Sequence, residues 1–391
     1  VTDWTARLRR EAQTRARAGL ARALRARHDD DPVIDLAGND YLGLSRHPAV
    51  LAAASDAIGR YGLGAGGSRL VRGTTAEHTA LEHELADLLN WPSALVFSSG
   101  YLANLGAIRA LSGPGTRIIS DAHAHASLID GCRLARTEVV VVPHASVAAV
   151  RSALTEAPGP AVVITESVFS VDGDLAPLRD LHAACLEHDA VLLVDEAHAF
   201  GVLGPSGAGG VAAAGLAGAP NLVVAATLSK AVGAAGGVVA GPQALTRHLV
   251  DTGRTFIYDT ALPPGVAAGA RAAVAVLRNA DDARRELAER TALAVDVLSG
   301  AGLEVSRPDG GVISVTAPGP DEAVAWAANC RTAGVAVGCF RPPSTPDRRS
   351  RLRLTVNVGI PRHDFEQALA VIAKEAPAQA ADRTGGWEDP A

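Results

Sequence analysis

AVLLVDEAH (190–198) and NLVVAATLSKAVG (221–233) decide how this chain is read. Each is a short apolar run, without polar alternation, that ends in polar residues. A strand buried on both faces of a sheet has this pattern. In open α/β sheets, ligand-binding groups lie beyond the C-terminal ends of such strands. Asp195 and His198 follow the first run, and Thr227 and Lys230 follow the second.

The same pattern repeats outward from these two segments. ALVF (94–97), RIIS (117–120), EVVVV (138–142) and AVVIT (161–165) are further strand candidates, and GGVVAG (236–241) adds a possibly antiparallel one. Helical patterns separate most of them. Residues 90–245 therefore read as a mixed, mainly parallel α/β sandwich. VIDL (33–36) reads as a short strand, and helices are expected over 4–27, 48–60, 75–89 and 101–111. A long helical region follows over 265–300. LEVS (303–306), GVISVTA (311–317), VAVGCF (335–340) and RLRLTVN (351–357) then read as strands, with helices near 320–333 and 362–375. That segment is α+β. The expected division is an N-terminal helix and arm (1–37), a large domain (38–280), a small C-terminal domain (281–375) and a disordered tail (376–391).

Composition bounds the function. The 391 residues are 48% apolar and 20% charged, with a net charge of −6. A sizeable core is expected, and a nucleic-acid or membrane partner is not. Residues 1–27 lack the apolar stretch of a secretory signal. The four cysteines show no C-x-x-C spacing, so a reduced, cytoplasmic setting without disulfides or a zinc knuckle is expected. Only two of the 36 basic residues are lysines, Lys230 and Lys374. Neither follows a glycine as a phosphate-binding Walker loop demands, which also removes LLVDEAH as part of a nucleotidase.

Two other motifs lead nowhere. Gly62-x-Gly64-x-x-Gly67 matches a dinucleotide fingerprint as a string, but a helical pattern rather than a strand precedes it. The histidines of His123-x-His125, and the pair His78 and His83, lack a metal-ligand constellation, and no metal is expected.

The remaining groups fit together. Ser98-Ser99-Gly100-Tyr101 follows a strand and opens a helix, where free amides and the helix dipole suit a phosphate. Asp195 is an acid at a strand end. Lys230 is an amine in a chain that otherwise uses arginine, and arginine can neither form a Schiff base nor act as a base. A phosphate cradle, an acid, a nearby histidine and a later lysine are what pyridoxal phosphate requires. His125 is placed to stack on its ring.

Eight segments, in order from about residue 33 to 375, resemble the fold-type I pyridoxal-phosphate enzymes, and among them the α-oxoamine synthases. They are GNDYLGL (38–44), GAGGSRLVRGTTAEHTALE (64–82), FSSGYLAN (97–104), DAHAHAS (121–127), TESVFSVDGDLAPL (165–178), VDEAHAFGVLG (194–204), TLSKAVG (227–233) and FRPPSTPDRRSRLRLT (340–355). The resemblance implies a mainly parallel seven-stranded sheet in the large domain and a homodimer with shared active sites. It implies that Lys230 forms the Schiff base and acts as the base, and that Asp195 pairs with the pyridine nitrogen. His198 and Ser170 would bond the ring hydroxyl, with His125 stacked on the ring. The backbone of Gly100 and Tyr101, with Ser99 and the Thr227 hydroxyl, would hold the phosphate, and Thr260 would reach it from a partner subunit. Arg353 would clamp the amino-acid carboxylate with help from Asn39, and Arg25 would meet the acyl substrate. Arg351 is expected on the opposite face of the strand from Arg353. Ala199 and Gly38 depart from the usual glycine and serine without removing a reacting group.

The last of the eight segments is most similar to acyltransferases that join L-alanine to a pimeloyl thioester, on CoA or a carrier protein, in biotin biosynthesis. Two other readings stand beside that one. One is a sister synthase using glycine, of the C-acetyltransferase or aminolevulinate type. The other is a non-catalytic cofactor-binding protein.

Overall fold

The computed structural model describes residues 3–28, 31–342 and 344–378. Most of the expected tail lies outside these residues. Seven strands form the large sheet, numbered here in chain order after β1 (Ile34–Leu36). They are β2 (Ser93–Phe97), β3 (Arg117–Asp121), β4 (Glu138–Val142), β5 (Ala161–Glu166), β6 (Val191–Asp195), β7 (Leu222–Thr227) and β8 (Gly237–Gly241). Their spatial order is β2-β8-β7-β6-β5-β3-β4, and β8 alone runs against the rest. The mainly parallel seven-stranded sheet is thus present, with the glycine-rich 236–241 segment as its antiparallel member.

Successive strand residues face opposite ways. Ile164, Leu193 and Val223 join one buried cluster with Ala103, Ile108 and Leu128 from the helices Gly100–Leu111 and Ala126–Ala135. Val163, Leu192, Val194 and Val224 belong to the cluster on the other face. Both faces are covered, so the strands carry apolar residues on both sides, as their unbroken runs require.

A second sheet contains β9 (Val312–Thr316), β10 (Val335–Phe340) and β11 (Arg351–Thr355), in the order β1-β10-β11-β9. The N-terminal strand β1 pairs in parallel with β10. The arm is therefore stitched to the small sheet before the chain enters the large one. LEVS is not a strand, because Val305 makes only an isolated bridge to Val315. The expected helix over 4–27 ends at Arg17, since Gly19 adopts a left-handed φ of +65° that stops it. The long helical region is two helices, Pro264–Arg278 and Asp281–Gly300.

Candidate active site

Three polar side chains end neighbouring strands on one face of the large sheet. Glu166 on β5 is in register with Asp195 on β6, and Thr227 ends β7. All three are buried. Asp195 Oδ2 accepts a 2.7 Å hydrogen bond from Asn104 Nδ2, and Oδ1 accepts one of 2.9 Å from the Ala197 amide. Asn104 also donates to Ser127 Oγ at 2.9 Å. The Asp195 carboxylate is therefore fixed in the plane by the helix that follows β2. Among the described residues no cation forms an ion pair with it.

His198 lies three residues beyond Asp195 and is buried. Its Nε2 is 2.7 Å from Lys230 Nζ, and its Nδ1 is 2.6 Å from the Tyr41 hydroxyl. Burial, reinforced by Lys230 and Arg353, holds the His198 pKa well below its ordinary value. The imidazole is neutral, so it donates from one nitrogen and accepts at the other. Burial also brings the Lys230 ammonium down to about 8, against the opposing pull of Asp195 and Glu166. His125 caps the helix Ala126–Ala135, with Nδ1 2.7 Å from Ser127 Oγ. Burial lowers its pKa, and it feels the charges of Asp195, Lys230 and Arg353, which places it in the same cluster.

Arg353 arrives from the small sheet. Its Nη1 donates to the Ser170 carbonyl at 3.0 Å and Nη2 to Asn39 Oδ1 at 2.5 Å, and the guanidinium lies 4.7 Å over the Phe340 ring. The β1-β10-β11 pairing explains this meeting: Asn39 follows β1, and Arg353 lies on β11. Among the described residues no carboxylate pairs with Arg353, although it is buried. An unpaired buried cation invites an anion.

Arg351 does not point to the opposite face of β11. Residues two apart on a strand share a face. Both arginines accordingly meet the loop after β5, Arg353 at Ser170 and Arg351 at Asp172, 2.5 Å away. Charge pairing separates them: Asp172 and Asp347 neutralise Arg351.

Ser99 caps the helix Gly100–Leu111 by accepting from the Leu102 amide at 3.2 Å. The Gly100 and Tyr101 amides, in the first turn, have no intrahelical partner. A Cβ on Gly100 would lie 2.9 Å from Thr227 Cβ, so glycine is what lets this helix end meet β7. Thr227 Oγ1 lies 2.8 Å from Ser229 Oγ.

Three expected residues keep their side chains out of this cluster, although Tyr101 is expected to act through its amide and Thr260 from a partner subunit. The Tyr101 side chain is turned outward, its hydroxyl donating to Asp130 at 2.5 Å. Thr260 is exposed and bridges the backbone of Ser68. Arg25 is exposed, on the rim of a cavity of about 800 Å³ that also reaches Asn39 and Ser229. Sequence reasoning missed Tyr41, Asn104 and Glu166. Each lies inside a segment already singled out, GNDYLGL, FSSGYLAN and TESVFSVDGD, but only the fold shows what its side chain meets.

These residues fit pyridoxal phosphate. A helix end with free amides beside two hydroxyls suits the phosphate. A fixed, unpaired carboxylate suits a protonated pyridine nitrogen, and the half-buried Lys230 amine suits the aldehyde.

Comparison with known proteins agrees. Residues 31–372 match the family described as aminotransferase class I and II. An 8-amino-7-oxononanoate synthase from Mycolicibacterium smegmatis is 53% identical over 359 residues, covering 92% of each chain. Serine palmitoyltransferase from S. paucimobilis, solved with a bound PLP-myriocin aldimine, superposes with a TM-score of 0.88 at 30% identity, covering 94% of this chain and 96% of that one. The 8-amino-7-oxononanoate synthase of Francisella tularensis gives 0.76 at 30% identity, with coverage of 88% and 98%. The chain belongs to the class I and II aminotransferase family of fold-type I pyridoxal-phosphate enzymes, and within it to the 8-amino-7-oxononanoate synthases.

Proposed function

We propose that this protein condenses L-alanine with a pimeloyl thioester, releasing CO2, the thiol and 8-amino-7-oxononanoate, for biotin synthesis in the cytoplasm. The carrying observation is the convergence of Lys230, Asp195, His198 and Arg353 in a chain 53% identical to a synthase of that name.

Bound pyridoxal phosphate supplies the electron sink that stabilises negative charge at the alanine Cα. The chain's own groups do the rest. The Ser99–Tyr101 helix end and Thr227 hold the phosphate. Asp195, fixed by Asn104, keeps the pyridine nitrogen protonated. His125 covers the ring, and His198 and Ser170 hydrogen-bond its hydroxyl oxygen. Arg353 and Asn39 receive the alanine carboxylate and orient the Cα–H bond toward Lys230, a positioning effect. Lys230 takes the Cα proton. A bond forms from Cα to the thioester carbonyl carbon as the thiolate leaves. The original carboxylate then departs as CO2, and Cα is reprotonated. Arg25 borders the cavity through which the acyl chain enters.

A second copy of the chain completes the site in this reading. Leu63, Leu70 and Val71 are 80%, 52% and 84% exposed in the segment that backbone pairing holds beside Thr260, and Tyr258 is 71% exposed nearby. Such a patch suits burial in a dimer. The test is an assay with alanine and pimeloyl-CoA, reading product mass and free CoA. Glycine or serine supporting faster turnover than alanine, across several acyl-CoA donors, would replace this reading with a sister synthase.

A further inference from the structure

Glu166 has no part in the scheme above, yet it is 2% exposed and ends β5 directly beside Asp195, itself 4% exposed. Register-paired residues of adjacent parallel strands face the same way, and neighbouring strands lie about 4.8 Å apart. Two carboxyls are thus held side by side out of water. The groups facing them are few: Lys230 beyond β7 and His125 beyond β3. Lys230 carries at most one positive charge and the imidazole is neutral, so the two carboxyls are not both offset. Two like charges this close and this buried cannot both persist.

The partners decide which carboxyl is ionised. Asp195 accepts from Asn104 and from the Ala197 amide, one bond to each oxygen. Glu166 leaves Oε1 without any partner. Hydrogen-bond donors stabilise an anion, and an orphan oxygen does not. Burial and the Asp195 charge both push the Glu166 carboxyl upward, outweighing the Lys230 charge and the His125 and Ser170 amides.

We propose that Glu166 is a positioning residue whose carboxyl stays protonated, so that Asp195 is the single anion available to the cofactor's pyridine nitrogen. Its uncharged carboxyl lies against the amides of His125 and Ser170, the residues proposed to stack on the ring and to bond its hydroxyl. The role toward the ring rests on the cofactor reading of Asp195. The protonation state does not.

Infrared difference spectra of the holoenzyme and Glu166→Gln at neutral pH test the second point alone. The carbonyl band of a buried carboxylic acid should be present in the wild type and missing in the variant. If no such band is lost, or a carboxylate band is lost instead, the proposal fails even if the cofactor reading stands. The positioning role is read from cofactor affinity. Glu166→Ala should weaken it about tenfold, and Glu166→Gln should recover it to within about threefold, with the pH profile of kcat/KM unmoved. A glutamine variant as weak as the alanine variant, or one that loses an ionisation from that profile, overturns the proposal. If Glu166→Ala does not fold, the glutamine variant and the infrared band still decide it.

Discussion

Lys230 Nζ lies 2.7 Å from Nε2 of His198, whose other nitrogen is 2.6 Å from the Tyr41 hydroxyl. This line of three residues joins the end of β7, the loop after β6 and the segment after β1. It holds the amine at a defined place for the two uses proposed for it, capturing the cofactor and moving a proton. Neither Lys→Arg nor Lys→Ala preserves both. Lys230→Arg and Lys230→Ala should each lower turnover by at least about 10²–10⁴-fold, the range of a positioned proton-transfer group, and lose the visible absorbance of the holoenzyme. Either variant turning over at the wild-type rate would sink the mechanism.

The same amine sets a pH dependence. Burial brings it to about 8, from an ordinary value of 10.5. Only the neutral amine attacks an aldehyde. Cofactor capture by the apoprotein should therefore speed up as pH rises, with a midpoint near the lowered value of about 8, and level off roughly one unit above it. Stopped-flow absorbance between about pH 6.5 and about pH 9.5 measures it. A flat profile contradicts the burial argument.

Arg353 reaches Asn39 and Ser170 with separate nitrogens and lies over Phe340. Lysine cannot reproduce that fork or the stacking. Arg353→Lys should cut kcat/KM for alanine by roughly 10- to 100-fold, the loss of one to two charge-assisted hydrogen bonds, with most of the effect in KM. Arg351→Lys keeps the charge but loses the two-nitrogen fork that reaches Asp172 and Asp347, so its effect belongs in thermal stability.

Asn104 fixes Asp195 without touching the proposed substrate. Asn104→Ala should weaken cofactor binding by about tenfold, the cost of one lost hydrogen bond to a buried charge. Equilibrium titration of apoprotein with pyridoxal phosphate gives the number, and unchanged affinity would show that Asp195 needs no such support.

His144 provides a stability test away from the chemistry. Its nitrogens meet Asp121 at 3.0 Å and Asp174 at 2.8 Å. Burial alone lowers its pKa, but those two carboxylates prevail and raise it to about 10. A raised folded pKa stabilises fully below the unfolded value of about 6.5, and the gain fades as pH climbs through the folded value. The stability gap between wild type and His144→Gln should be on the order of a few kcal/mol at pH 6 and shrink toward pH 10, in urea melts. A gap that grows with pH reverses the sign and refutes the pairing.

Much was legible in sequence because the signals are local. Apolar runs of strand length, a capped glycine turn and a lone lysine after a strand place Asp195, His198, Thr227 and Lys230 at one sheet edge. Where sequence reasoning slipped, a long-range or stereochemical fact intervened. Gly19 ends a helix that composition would continue, and LEVS lacks the neighbours that make a strand. Arg351 shares a face with Arg353 because the side-chain period of a strand is two.

The sequence by itself determined the sheet, the cofactor chemistry and which lysine the proposed reaction uses, since each depends on residue type and short spacing. Tertiary structure made the contacts: Asn104 on Asp195, Tyr41 on His198, Asn39 on Arg353 (a pairing the resemblance already implies) and Glu166 beside Asp195. Those pairs, apart from the strand neighbours Glu166 and Asp195, join residues 91, 157 and 314 positions apart. Contacts at such separations are set by strand order and register, which no local pattern encodes.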